Sequence, residues 1–117
     1  MSQFVLFDPA NLPDPEYGAP DPANVIEGDP RFTVWTLEDR GDGRTFAGYW
    51  ASTAGAWKVS YEEWEYCTLV EGRVIISEDG GDFWDLTPGR HFIFRPGFKG
   101  SWHVIEPVIK TFVVILP

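Results

Sequence analysis

Glu65-Tyr66-Cys67-Thr68-Leu69-Val70-Glu71-Gly72-Arg73-Val74-Ile75-Ile76-Ser77-Glu78-Asp79-Gly80-Gly81-Asp82-Phe83-Trp84-Asp85-Leu86 is the stretch that decides the fold. It reads as three short strands, Glu65–Glu71, Arg73–Ser77 and Phe83–Leu86, because β-branched and aromatic residues dominate each run. Gly72 breaks the first two, and Glu78-Asp79-Gly80-Gly81-Asp82 is a strong turn signal before the third. The same rhythm extends outward. Phe32–Leu37, Thr45–Ala51, Trp57–Tyr61, His91–Arg95, Ser101–Ile105 and Val108–Leu116 are further strand candidates, cut by Gly, Asp and Pro about every ten residues. No window shows clean i, i+3, i+4 apolar spacing. Regularly spaced strands without helices predict an all-β antiparallel sandwich or barrel.

Composition bounds the rest. A chain of 117 residues is one domain, and folding at that size buries roughly 65% of the unfolded surface, enough for one core without staples. A single cysteine excludes an internal disulfide framework and a multi-thiolate zinc site. The net charge of −9 argues against nucleic acid, which demands a basic stripe, and against anionic membrane surfaces. No apolar run approaches the ~20 residues that span a bilayer. The start MSQFVLFDPA lacks a basic region followed by an apolar stretch, so no signal peptide is expected and a cytoplasmic protein is the default reading. Residues 1–30 stand apart from the barrel of residues 31–117. They hold six of the ten prolines, six acids and no Lys or Arg, which makes an extended, Pro-rich arm carrying −6. Phe4-Val5-Leu6-Phe7 interrupts that solvated composition and calls for burial on the barrel or on another subunit.

Glu65 followed seven residues later by Gly72, and Gly89 followed by the Pro96-Gly97 corner, resemble the two motifs of the cupin superfamily. Gly48-Tyr49-Trp50, Gly55-Ala56-Trp57 and Pro96-Gly97-Phe98-Lys99-Gly100-Ser101-Trp102 sharpen the resemblance to one subgroup. That subgroup includes the cupin domains of (S)-ureidoglycine aminohydrolase and of the ethanolamine-utilisation cupin, and the likeness covers roughly residues 45–112. It implies an RmlC-like jelly-roll β-barrel, also called a double-stranded β-helix. A metal-binding cupin places two histidines before the motif-one glutamate and one after the second motif. Here those positions are Val59 and Tyr61 (or Lys58 and Ser60 with a longer spacer), and Gly100. No metal ligand set and no cofactor is therefore predicted. Glu65, with Glu63, Tyr61 and Cys67 as further donors, leaves room for a weak divalent site at most.

Period-two geometry then predicts the interior. With Glu65 inward, Glu63, Cys67 and Leu69 share its face, and Tyr61 joins them if no bulge intervenes. Gly100 inward places Trp102 and Val104 inward and His103 outward. The predicted ligand pocket is Tyr61, Glu63, Glu65, Cys67 and Trp102, and Glu65 is the best candidate for catalysis because desolvation would make it an acid or base. Each has a plainer reading. Glu65 can sit solvated at the barrel mouth, Trp102 and Trp50 can be packing, and Cys67 can be a small buried apolar group. His91 reads as a hydrogen-bonded wall residue, Asp82 and Asp85 as turn and edge groups, and Lys99 and Lys110 as solvated charges rather than counter-ions for a ligand.

Phosphate-cradling loops, dinucleotide fingerprints and nucleophile elbows are absent, and Gly41-Asp42-Gly43-Arg44 has no helix after it and reads as a turn. Three functions stay open. The first is a barrel that binds a small polar metabolite, neutral or cationic since its pocket carries a carboxylate. The second is a metabolic enzyme similar to the ureidoglycine aminohydrolase type, using Glu65. The third is a structural or regulatory dimer without a ligand. Both faces of Val108–Leu116 are largely apolar, so one fills the barrel and the other needs cover. A twofold homodimer with Phe4–Phe7 near the contact is the expectation.

Overall fold

Two long strands organise the chain, where four short ones were expected. A computed structural model describes residues 2–117. In chain order it contains β1 (Glu16–Gly18), a 3-10 turn (Pro22–Asn24), β2 (Val25–Gly28), β3 (Phe32–Asp39), β4 (Thr45–Ser52), β5 (Gly55–Ser60), β6 (Trp64–Glu78), β7 (Phe83–Leu86), β8 (His91–Phe94) and β9 (Lys99–Ile115). β6 and β9 run antiparallel from Trp64 opposite Ile115 to Glu78 opposite Gly100. Their halves have different neighbours. The first half of β6 and the second half of β9 lie in the sheet β1-β3-β4-β9-β6-β8. The other halves lie in β2-β5-β9-β6-β7. One ribbon thus serves both layers of a jelly roll.

Gly72 is the place where this happens. The sequence reads it as a break between two strands, but the strand continues through it. Its φ is +88°, and a Cβ there would collide with the Pro107 carbonyl oxygen, so only glycine allows the two strands to close at the bend. The register shifts between Leu69 and Val74, and bulges of this kind let a strand turn a corner from one sheet into the next. The shift also switches parity. Cys67 and Leu69 are buried before the bend, Val74 and Ile76 after it. β9 keeps one parity throughout, with Trp102, Val104, Val108, Lys110 and Phe112 all buried.

The space between the sheets is filled by aromatic rings. Trp57 stacks on Trp102 with centroids 5.8 Å apart, and Trp50 meets Trp102 edge-on at 5.2 Å. Each large side chain fully withdrawn from water contributes about 2–3 kcal/mol, so this cluster with Leu69, Val74 and Val104 supplies much of the driving force.

The arm is not a separate solvated segment. β1 pairs with β3 and β2 with β5, so residues 1–30 supply an edge strand to each sheet, and Pro30 is buried against Gly55. Asp21 caps the 3-10 turn by accepting a hydrogen bond from the Ala23 N–H. Phe7 packs on Tyr49 at 5.6 Å, while Phe4, Val5 and Leu6 remain exposed. Among the described residues no helix is long and apolar enough to cross a membrane.

Candidate functional site

β5, β6 and β9 carry the chemistry to one place. On β5 the inward positions are Trp57 and Val59, and Tyr61 follows on the same side. Tyr61 is pinned by backbone bonds on both sides: its N–H donates to the Phe98 carbonyl, and its own carbonyl accepts from Gly97. Its ring packs on Phe94 at 4.8 Å. On β6, Glu65 and Cys67 point inward, and on β9 Trp102 and Lys110 do. These groups lie at or beneath the floor of a cavity of about 460 Å³, walled by Phe32, Val34, Trp50 and Val114, whose mouth includes Pro20, Asp21 and Asn24 of the arm.

The centre of the site is an ion pair. Lys110 Nζ donates to Glu65 Oε2 at 2.7 Å, with the two side chains 5% and 13% exposed. The same oxygen accepts from the Cys67 thiol at 3.2 Å, and Lys110 Nζ also reaches Cys67 Sγ at 3.4 Å. The ammonium lies over the Trp50 and Trp102 rings, 4.7 and 4.8 Å from their centroids. The sequence reading makes Lys110 a solvated charge, and the structure corrects this, because Lys110 is buried. It lies on the barrel-filling face of β9 between Val108 and Phe112, and an ammonium there requires an anion. Glu65 is correspondingly not a carboxylate free for a ligand's charge. Its counter-charge is built in, so the floor of the cavity is formally neutral.

Burial opposes the charge on Lys110, but the neighbouring Cys67, Glu65 and Tyr61 groups together override it and hold the ammonium above its ordinary range. The thiol and the phenol beside it are protonated at neutral pH and act only as dipoles. Burial pushes the Cys67 thiol up from 9.0 to about 12, with Lys110 opposing and Glu65 reinforcing. Burial likewise lifts the Tyr61 phenol above its usual range. The Trp102 indole N–H lies beside that hydroxyl without meeting hydrogen-bond geometry, and it has no other acceptor.

The predicted pocket residues therefore separate. Tyr61, Glu65 and Trp102 line the cavity. Cys67 is fully buried beneath it, a thiol held in its protonated form and inert as a nucleophile. Glu63 is not among the lining residues; its carboxylate turns back to accept from the Glu62 N–H. His91 lies on the outer face of its sheet, where its Nδ1 meets the hydroxyls of Tyr66 and Thr68 at 2.7 and 3.0 Å. His103 faces outward and pairs with Glu27 at 3.1 Å. Asp85 is held by Arg73 through two hydrogen bonds, and Lys99 is exposed.

The metal of metal-binding cupins does not fit these residues. Val59 offers no donor, and a Cβ at Gly100 would collide with the Ser77 carbonyl oxygen, so no ligand side chain can stand there. Glu65 already holds an ammonium that would repel a divalent cation. Among the described residues no three His, Cys, Asp or Glu side chains gather. A larger cleft of about 600 Å³ lies between β7 and β8, away from the ion pair.

Comparison with known proteins places this architecture. The family model described as EutQ-like cupin domain matches residues 40–112. A DUF861-family protein of unknown function from Pseudomonas syringae pv. tomato superposes with a TM-score of 0.82 at 25% identity, over 92% of this chain and 46% of that one. Ectoine synthase from P. lautus gives 0.67 at 20% identity over 85% and 73% of the two chains. The EutQ protein of Clostridium difficile gives 0.64 at 15% identity over 74% and 63%. The latter two likenesses show the fold alone. The chain spans less than half of the Pseudomonas protein and under two thirds of the Clostridium one. No curated protein matches it.

Proposed function

The chain belongs to the EutQ-like cupin domain family, and on that premise we propose that it binds a small, uncharged polar metabolite between its two sheets. Family membership alone assigns no chemistry, because one barrel hosts many reactions. The site supports the reading. The observation that carries it is the self-neutralised Glu65–Lys110 pair at the floor of an aromatic cavity of about 460 Å³. Cavities of this size, apolar with a few fixed polar groups, are the usual form of a small-molecule site. Glu65 uses Oε2 for both internal bonds, which leaves Oε1 to accept from a ligand, and the Tyr61 hydroxyl can donate or accept. A charged ligand would have to break or crowd a buried ion pair, whereas a neutral one adds hydrogen bonds to it. The sequence reading also admitted cationic ligands; with the ammonium in place these are disfavoured.

The acid–base role drawn for Glu65 gains no support from this geometry, since the carboxylate already holds an ammonium and a thiol. The activity of ectoine synthase stays with that protein.

A thermal-shift screen of neutral, cationic and anionic metabolites tests the proposal. Neutral compounds bearing both donor and acceptor groups are expected to raise the unfolding midpoint, and Tyr61→Phe, which removes one hydroxyl and little packing, is expected to weaken the responding compound about tenfold. A response confined to charged compounds, or none at all, overturns it.

A further inference from the structure

We propose that Trp102 sets the direction of hydrogen bonding at the floor of the cavity: its indole N–H makes the Tyr61 hydroxyl a donor, so the ligand must carry an acceptor oxygen for Tyr61 beside a donor for Glu65. This rests on the reading that the cavity holds an uncharged polar metabolite, and it names the edge by which that molecule is recognised. Trp102 is 1% exposed, and its Nε1 is the one buried side-chain nitrogen or oxygen among the described residues without a hydrogen-bond partner. Native interiors seldom leave such a donor unpaired, because its desolvation is then uncompensated. The indole borders the cavity. The oxygen beside its N–H is the Tyr61 hydroxyl, brought there by Phe94, against which the two rings pack at 4.8 Å (Tyr61) and 6.0 Å (Trp102).

The indole leaves the phenol one orientation. An indole N–H only donates, so the hydroxyl it faces turns its lone pairs toward Trp102 and its proton away. Neither Tyr61 Oη nor Glu65 Oε1 makes a hydrogen bond within the chain, and neither is sealed from the cavity as Trp102 Nε1 is. Lys110 cannot take the place of Tyr61 as donor. Its ammonium is engaged by Glu65 Oε2 and Cys67 Sγ and covered by the Trp50 and Trp102 rings. Cys67 likewise gives its proton to Oε2. Nor can Tyr61 swing aside, since backbone bonds to Gly97 and Phe98 hold it and the Phe98 ring stacks on it at 6.1 Å. The floor therefore presents Tyr61 as donor and Glu65 Oε1 as acceptor. A neutral molecule with a carbonyl next to an N–H or O–H satisfies both. A ketone satisfies one and leaves the buried carboxylate oxygen unpaired, which is how a polar site rejects an analogue.

Magnetic-resonance titration of the full chain, labelled with nitrogen-15 at tryptophan, tests this with small rings of one shape. 2-Pyrrolidone has a carbonyl beside an N–H, cyclopentanone has the carbonyl alone, and pyrrolidine is a cation without an acceptor. 2-Pyrrolidone is expected to bind saturably and to move the Trp102 indole N–H resonance downfield, because a phenol that donates to the probe becomes a stronger acceptor for the indole. Cyclopentanone should bind about tenfold more weakly, and pyrrolidine should leave the resonance in place. Tyr61→Phe is expected to abolish the indole shift and to weaken 2-pyrrolidone about tenfold, with circular dichroism as the folding control. A merely structural Trp102 would show no such dependence on the Tyr61 hydroxyl. Equal binding of 2-pyrrolidone and cyclopentanone, or an indole shift that survives in Tyr61→Phe, overturns the proposal and leaves the neutral-ligand reading standing. Preference for pyrrolidine, or binding of neither neutral ring, overturns both.

Discussion

The cavity between the sheets and the cleft between β7 and β8 are both aromatic hollows of the same barrel, yet they handle charge in opposite ways. In the cavity the two charges face one another at 2.7 Å and cancel. At the cleft Arg90 and Arg95 stand exposed, with no ion-pair partner among the described residues. An interior charge pair is fixed by its neighbours, while a surface charge remains in water and is free for an incoming anion. The barrel thereby keeps the floor of its interior cavity formally neutral and the rim of its outer cleft basic.

The difference between the two hollows is greatest at Lys110. Lys110→Met leaves the Glu65 carboxylate buried without its counter-charge and is expected to cost about 3–5 kcal/mol in urea unfolding. Combining it with Glu65→Leu should recover most of that loss, because two apolar side chains can replace a buried pair. If the double variant is no better than the single one, packing rather than charge holds this place.

Alkaline titration gives an intermediate effect. Cys67 has a folded pKa of about 12 against 9.0 for a free thiol, so the folded chain keeps a proton that the unfolded chain releases. Its contribution is complete below pH 9 and is lost as pH rises through that window toward 12. Lys110, also raised, loses its contribution in the same direction above its ordinary 10.5. Unfolding midpoints measured from pH 8 upward should fall, and more gently in Cys67→Ala. The smallest effect belongs to the cleft. Arg90→Glu with Arg95→Glu should change monomer stability by about 0.5 kcal/mol or less, as expected for exposed positions without specific partners.

Strand identity was legible in the sequence because alternation and glycine punctuation are local. Phe83–Leu86 falls where it was expected, and the inward set from Glu65 to Leu69 follows from the two-residue period. The continuity of β6 through Gly72 was not legible. A glycine at positive φ marks a hairpin or a bulge equally well, and only the pairing with Pro107 decides between them. Lys110 could have been found. It shares a strand face with Val108, Phe112 and Val114, the face that fills the barrel, and a lysine in that row demands an acid opposite. It is hidden because lysines are mostly exposed, and a lone one carries no local mark of burial. The arm was obscured by its prolines, which suggest an extended chain but do not say that β1 and β2 pair with opposite sheets, or that Asp21 and Asn24 reach the cavity mouth.

The long ribbon has a bearing on biosynthesis. β9 is the last strand in the order, and it is the neighbour that β4, β5 and β6 all require. Until it leaves the ribosome, three strands present open edges and an unsealed interior, the state in which nascent all-β chains are most prone to aggregate. Maturation of this barrel therefore waits on its final seventeen-residue strand, and a stop codon within it would yield a chain with no way to close.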